Sequence, residues 1–299
     1  MKTNSRKHKV KRADNISGWI FIAVAMIIFV MFTLYPVISA VITSLQKYKP
    51  FGSEWVGMKN YVDALQSSLF WKSIKNTVIY TVIVVPFSLL ISFVISLMIL
   101  PFSKKLQSVF KALYYLPGIA SGVAIAVVWL WLYDSSPSGI FNRILGIFGI
   151  ASQNWLSSSK TAMLSLILMA LLSSHGSNII IYMAALHGID NTYYEAAEID
   201  GAGKLQQFRH ITLPLIKPMM ITSLSLNCIG SLKFFDLVYN MSQGGPNHRT
   251  EVLATELYAE GFNYFKYGYA SAISVVLLVL CLLVTLLVKK VIKVETYES

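Results

Sequence analysis

Apolar and polar positions come in long blocks along this chain, not in the short alternation of half-buried strands. Six apolar runs stand out, at residues 18–45, 76–100, 112–133, 161–186, 215–239 and 267–288. Each is close to the roughly 20 residues that an α-helix needs to cross hydrocarbon. The pattern predicts an all-α integral membrane protein with six transmembrane helices. Pro36 marks an expected kink in the first run. Pro86 in the second is tolerable, because neighbouring helices satisfy the carbonyl it frees. Pro117, Gly118 and Gly122 are weak points in the third. That run ends on Trp129, Trp131 and Tyr133, an aromatic belt at a membrane interface.

Composition agrees with this pattern. The 299 residues are 55% hydrophobic and only 13% charged, against about 25% charged in soluble domains. Mean hydropathy is +0.60. The net charge of +11 would suit nucleic acid if the bases formed a patch. Instead they gather at the ends of apolar runs. Lys2, Arg6, Lys7, Lys9, Lys11 and Arg12 fill a tail at 1–15, and Lys289, Lys290 and Lys293 follow the last run. Lys104, Lys105 and Lys111 sit in a short loop expected at 101–111. Short basic loops stay in the cytoplasm, so both termini are expected there. The segments at 46–75, 134–160 and 240–266 then lie outside. The first of these holds five lysines as well as Glu54 and Asp63, and long loops obey the rule less strictly. Cys228 and Cys281 lie inside apolar runs, with no C-x-x-C or histidine cluster, so neither a disulfide framework nor a metal site is expected. The first apolar run is too long for a cleaved signal and reads as a retained span.

One polar interruption looks ordered: residues 193–214, YYEAAEIDGAGKLQQFRHITLP. Asp190, Asn191 and Thr192 can cap a helix start. Glu195 and Glu198 favour its N-terminal end. Gly201 and Gly203 break it, and Pro214 is expected to stop the second helical stretch. Ala196, Ala197 and Ile199 form a small, smooth face suited to a partner's cleft; a helix lying alone on the membrane surface is the other reading. Gly203 and Lys204 do not complete a phosphate-binding loop. Glu198 stands where its first glycine belongs, and Leu205 replaces the required Ser or Thr.

The spacing of Glu195, Ala196, Ala197, Gly201, Ile211, Leu213 and Pro214 resembles the EAA signature of bacterial ABC importer membrane subunits, without departure at these anchors. Trp55, Gly57, Asn60 and Tyr61, then Asn76 and Thr77, then Gly244, Gly245 and Pro246 followed by Thr250, resemble the sugar-permease branch. The resemblance covers nearly the whole chain. It implies a type I ABC importer permease fold with a cytoplasmic coupling helix. Residues 16–75 would be a first span and external loop. Residues 76–293 would be the five-helix transport domain, with a coupling loop at 190–215 and a tail at 294–299. Asp200 and the seven anchors would meet a cytoplasmic ATPase. The implied partners are a second homologous permease, two copies of that ATPase, and an extracellular or periplasmic sugar-binding protein, in a bacterial cell membrane. ATP and Mg would belong to the ATPase, leaving this chain without a cofactor or catalytic residue.

Asn227, Ser231 and Phe234 lie at i, i+4 and i+7, one face of a helix, and Ser223 extends that face. An amide in hydrocarbon must find a partner, so Asn227 is expected to face the bundle or a wet cavity. Ser173, Ser174 and Ser177 form a second small polar patch. Such residues also serve as packing residues between membrane helices. By the resemblance these positions, with Gly118 and Gly122, match those lining the sugar site of maltose-type permeases, although the residue types mostly differ. Phe234 or Phe235 would supply an aromatic face. Lys233 and Asp236 are spaced to pair. His175 is the one histidine deep in a span, with a hydrogen-bonded packing role as its alternative. No Asp, Glu and His relay is evident, which disfavours an ion-coupled carrier. An importer of glycerol phosphate or a polyamine would need cavity cations or carboxylates that the runs do not show. No metal-ligand or Ser–His–Asp pattern supports a membrane enzyme. Gly244, Gly245 and Pro246 read as a turn.

Overall fold

The computed structural model describes Trp19 and residues 22–48, 52–173 and 175–291. The tails at 1–15 and 294–299, Ser174 and Lys293 lie outside them. Among the described residues, four helices are long and apolar enough to cross a membrane: Ile22–Ser44, Ser68–Ile99, Lys204–Met241 and Tyr267–Lys290. Two bent pairs raise the number to six if each pair is one span. The chain divides into two compact units, residues 1–64 with 260–275 and residues 65–259 with 276–299.

In the first unit, α1 (Ile22–Ser44) is apolar on every side, and its large side chains are exposed, as a helix bathed in lipid requires. A π-helical turn at Val30–Leu34 precedes Pro36, with the Tyr35 N–H bonded to the Val30 carbonyl. The wider turn accommodates a ring that would crowd a regular α-turn. A short antiparallel hairpin comes next, β1 (Gln46–Lys47) with β2 (Glu54–Trp55). Asn60 clasps it, donating from Nδ2 to the carbonyls of Ser44 at 2.8 Å and Gln46 at 3.0 Å. The Tyr61 hydroxyl meets that of Ser44 at 2.7 Å. Gly268 admits the hairpin at close range, since a Cβ there would lie 2.0 Å from the Gln46 carbonyl oxygen.

The second unit begins its long helix earlier than residue 76. After α2 (Lys59–Gln66), α3 runs Ser68–Ile99, with the Phe70 N–H bonded to the Ser67 hydroxyl as its cap. Its 32 residues span about 48 Å at 1.5 Å each, more than the ~30 Å of hydrocarbon. The helix therefore extends beyond the lipid. The loop expected at 101–111 is only a turn, because α4 (Lys104–Ile119) starts at once. Gln107 makes this possible by donating to the freed carbonyls of Leu100 at 2.8 Å and Phe102 at 2.9 Å.

Both bent pairs replace spans that read as continuous. α4 and α5 (Gly122–Leu132) meet at 96°. The break comes just after Pro117 and Gly118, and the Ser121 hydroxyl caps α5 by accepting the Ala124 N–H at 3.2 Å. After α6 (Ile140–Ile147), α7 (Ala162–Ser173) and α8 (Gly176–His187) meet at 43°. His175 repairs that break: its ring bonds the Leu171 carbonyl and, at 3.0 Å, the Ser92 hydroxyl. The next helices are α9 (Asn191–Ile199), α10 (Lys204–Gln207) and α11 (Leu213–Leu232). α12 (Asp236–Met241), α13 (Leu253–Tyr258) and α14 (Tyr267–Val291) complete the described residues.

Pro214 does not stop the helix. The chain stays helical from Lys204 to Leu232 through a second π-helical turn, Phe208–Thr212, in which the Leu213 N–H bonds the Phe208 carbonyl. Pro214 sits at the start of the next α-helical segment, where its missing N–H is tolerated. The span expected at 215–239 ends as an α-helix at Leu232 and resumes at Asp236.

Gly176 sets how closely α8 approaches α4. A Cβ there would lie 2.4 Å from the Tyr115 Cα and 2.6 Å from the Tyr114 carbonyl oxygen, backbone that has little room to yield. Gly176→Val is expected to destabilise the purified chain by at least about 1–3 kcal/mol, read as a lowered unfolding midpoint in detergent. An unchanged midpoint would contradict this packing.

Candidate functional site

Three helix interruptions converge on one cavity of about 460 Å³ in the second unit. Pro117 and Gly118 reach it from the α4–α5 break, and Ser173 and Ser177 from the α7–α8 break. Ser231 and Phe234 reach it from the α11–α12 break. The unbroken α3 supplies the facing wall with Tyr80, Val84 and Ser88. Irregular backbone at membrane depth is tolerated where it is buried in protein or lines a cavity. No acidic or basic side chain is among the lining residues; the polar groups are hydroxyls and amides.

The amide expected to need a partner has one. Asn178 donates from Nδ2 to Asn227 Oδ1 at 3.2 Å, and Asn227 donates to Asn178 Oδ1 at 2.9 Å. Asn227 also donates to the Ser223 carbonyl at 2.8 Å. This pair ties α8 to α11 beside the cavity. Ser173 accepts the Trp129 indole N–H at 2.7 Å, and Ser231 donates to the Cys228 carbonyl. Phe234 lines the cavity with its ring stacked on Tyr80, centroids 4.2 Å apart and 9° between planes.

Two candidate residues fall elsewhere. Phe235 packs against Tyr239 and Tyr258, centroids 5.1 Å away in each case, because the chain turns between α11 and α12 and carries it off the Phe234 side. Gly122 does not line the cavity either. It admits Asp236, whose Cβ would lie 3.1 Å from a Cβ at that position. Asp236 therefore faces Gly122, and no ion pair with Lys233 is found among the described residues. Ser174 lies outside the described residues. Asn178 and Tyr80 line the cavity without having been expected there from sequence. Asn178 carried the same signal as Asn227, an amide inside an apolar run, and stands directly after Ser177.

The polar interruption joins α8 to α11, the two helices that the asparagine pair ties together. Asp190 caps α9 by accepting the Thr192 N–H at 3.0 Å, and that bond holds its carboxyl below the usual carboxylate range. α9 ends in two reinforcing bonds, Gly201 N–H to the Glu198 carbonyl at 3.0 Å and Ala202 N–H to the Ala197 carbonyl at 2.8 Å. This cap needs a left-handed residue, and Gly201 has φ +78°. The Gly203 N–H then bonds Gln206 Oε1, starting α10. The Tyr194 hydroxyl meets Thr212 at 2.9 Å and ties α9 back to the ascending helix. Glu195, Ala196, Asp200 and Pro214 are exposed, while Ala197, Ile211 and Leu213 are half-buried. Ile199 is 87% and Leu205 78% exposed, large apolar side chains presented from a polar segment.

At the other end of the long helix, two sequence fragments meet. Asn76 donates to the carbonyls of Glu251 at 2.8 Å and His248 at 3.2 Å, and Thr77 accepts the Leu253 N–H at 3.0 Å. Lys72 bonds the Asn247 carbonyl. Gly244, at φ +80°, leaves room for the Glu251 carboxylate, which would lie 2.1 Å from a Cβ. Thr250 closes the turn on the Gly245 carbonyl at 2.6 Å.

The chain is similar to known proteins. The model of the family described as binding-protein-dependent transport system inner membrane component matches residues 70–293. The arabinooligosaccharides transport system permease protein of Bacillus subtilis is 31% identical, with 94% of this chain and 93% of that one covered. The trehalose/maltose transport system permease protein of Thermococcus litoralis is 31% identical, covering 96% and 97%. The lactose transport system permease protein of Rhizobium radiobacter is 30% identical, covering 94% and 95%. A crystal structure of a bacterial ABC transporter involved in the import of the acidic polysaccharide alginate contains a chain of the same fold. Its TM-score is 0.82 at 24% identity, with 97% of this chain and 99% of that one covered.

Removing either asparagine leaves the other amide short of a partner. Asn178→Ala, Asn227→Ala and the double variant are expected to show a coupling of roughly 0.6–1.7 kcal/mol in unfolding experiments. Strictly additive effects would show that the pair does not tie α8 to α11.

Proposed function

The chain belongs to the family of binding-protein-dependent transport system inner membrane components, and from that membership we propose that it carries carbohydrate as one of two permeases in an ATP-driven importer. The observation that carries the carbohydrate reading is the cavity. It offers hydroxyls, amides and an aromatic ring, and no acidic or basic side chain. A neutral sugar needs such groups; glycerol phosphate would need a cation there, and a polyamine a carboxylate. The sugars named for its relatives agree with this reading.

In this account the chain crosses the membrane six times with both termini in the cytoplasm. α9 is the coupling helix. It docks in a groove of a separate ATPase, with Glu195 meeting a basic group and Ile199 and Leu205 covered on docking. Two ATPase copies closing on ATP and Mg pull on the loop. The segment from α8 through α9 to α11 is tied at its base by Tyr194 and Thr212 and beside the cavity by Asn178 and Asn227. A pull on α9 is thus transmitted to the cavity wall, and the sugar site opens alternately to each side. A sugar-binding protein delivers the solute from outside, and the Gly244 turn held by Asn76 and Thr77 is part of the surface it meets.

Nothing lies within 4 Å of a Cβ built on Gly201, so a substitution costs backbone strain alone, about 1–2 kcal/mol. Gly201→Val is expected to insert and assemble normally while hydrolysis proceeds without uptake, measured as labelled sugar entry and phosphate release in the reconstituted importer. Wild-type uptake would contradict the coupling role. Asn227→Ala removes both a cavity amide and one of the two ties, so uptake should fall; unchanged transport kinetics would remove Asn227 from the path. Uptake that survives ATP depletion and fails when the ion gradient collapses would favour a secondary carrier instead.

A further inference from the structure

At the end of α5 the expected aromatic belt is not formed, because Trp129 and Tyr133 are buried in the core and only Trp131 is exposed. The segment that follows presents an apolar face that the transport account does not use. Its inner side is fixed. Asn142 is buried and bonds at both ends: its Nδ2 donates to the carbonyls of Asp134, Ser136 and Gln153, and its Oδ1 accepts the Gln153 and Trp155 N–H groups. Phe141 packs beside Trp129 at 5.9 Å, Tyr133 at 5.2 Å and Trp155 at 5.8 Å between ring centroids. These contacts hold the first turn of α6 at the depth of the last turn of α5.

The outer side is apolar. Ile144, Ile147 and Phe148 keep the i, i+3, i+4 spacing of one helix face. Ile147 is 81% and Phe148 73% exposed, and Ile150 extends the patch after the Gly149 turn, at φ +69°. Arg143 is the one charged side chain on α6, and it is exposed. Trp131, 66% exposed on α5, marks the same level. Indole side chains favour the boundary between headgroups and acyl chains. A short helix with an apolar face and a cation beside it suits that boundary too.

We propose that α6 is an interfacial foot. Ile144, Ile147, Phe148 and Ile150 dip into the lipid leaflet on the side where α5 ends, and Arg143 lies against lipid phosphates. The occupant of this face is the bilayer itself. The foot anchors the far end of the bent α4–α5 pair, whose break lines the cavity, and so holds that wall at a fixed depth. It would sit there whatever solute is carried.

Spin labels test this placement. Cys228 and Cys281 are both buried, so a Cys228→Ala and Cys281→Ala background leaves single cysteines free for labelling. Labels at Ile144→Cys, Ile147→Cys and Phe148→Cys are compared with Ser135→Cys as a water-exposed control. The full chain is reconstituted in vesicles of phosphatidylethanolamine and phosphatidylglycerol, and the measurement is repeated in the assembled importer. Collisions with oxygen should exceed those with a water-soluble nickel chelate several-fold at the three foot positions, with the order reversed at residue 135. Chelate access at 147 and 148 equal to that at 135 would overturn the proposal by placing the face in water. Labels reached by neither agent would also overturn it, by showing that protein covers the face.

Discussion

A backbone that leaves its helix inside hydrocarbon must satisfy its freed polar groups from within the protein. That constraint governs where this chain can bend. Two corners carry a side-chain repair, Ser121 at α4–α5 and His175 with Ser92 at α7–α8, and a π-helical turn accommodates each of Pro36 and Pro214. Those two corners and the α11–α12 break open toward the same space, so the irregular backbone and the polar cavity are one feature. The interrupted helices bring Ser173, Ser177, Ser231, Gly118 and the stacked Phe234 to that space.

The same helices join the cavity to the exposed polar segment. α8 descends from Ser177 and Asn178 to His187, the polar segment turns, and α11 rises to Asn227 and Ser231. Two cross-links keep the ascending and descending limbs in register, one amide pair beside the cavity and one hydroxyl pair at the base. Interfaces of packed helices switch between arrangements and do not stretch continuously. A force on the exposed α9 therefore moves this limb pair as a unit in the proposed mechanism.

Much of this was legible in the residues. Asp190, Gly201 and Gly203 act at the positions their chemistry suggested, since caps and left-handed turns depend on local groups only. Pro117 and Gly118 announced a break, but not its 96° angle, which depends on how α5 packs against its neighbours. Pro214 misled, because a π-helical turn placed just before it cannot be read from propensity. The break between Ser173 and Gly176 lies in a polar stretch that reads equally well as packing residues between membrane helices, so its bend does not follow from the residues alone. Phe234 and Phe235 are adjacent and chemically identical, so only the turn between α11 and α12 could decide which faces the cavity. Asn178, an amide inside an apolar run like Asn227, needs a partner just as much, and the two satisfy each other.

The central claim is that the exposed polar segment between α8 and α11 is covered by a separate ATPase. Lys204 and Arg209 are exposed within it and offer trypsin two cleavage sites. Limited trypsin digestion of the vesicle-embedded chain, with and without its ATPase bound from the same face, reads their accessibility directly. Cleavage at both residues is expected to slow strongly when the ATPase is bound, while cleavage at control lysines outside the segment continues. Equal cleavage of Lys204 and Arg209 in the two samples, with the ATPase shown to be bound, would contradict the account.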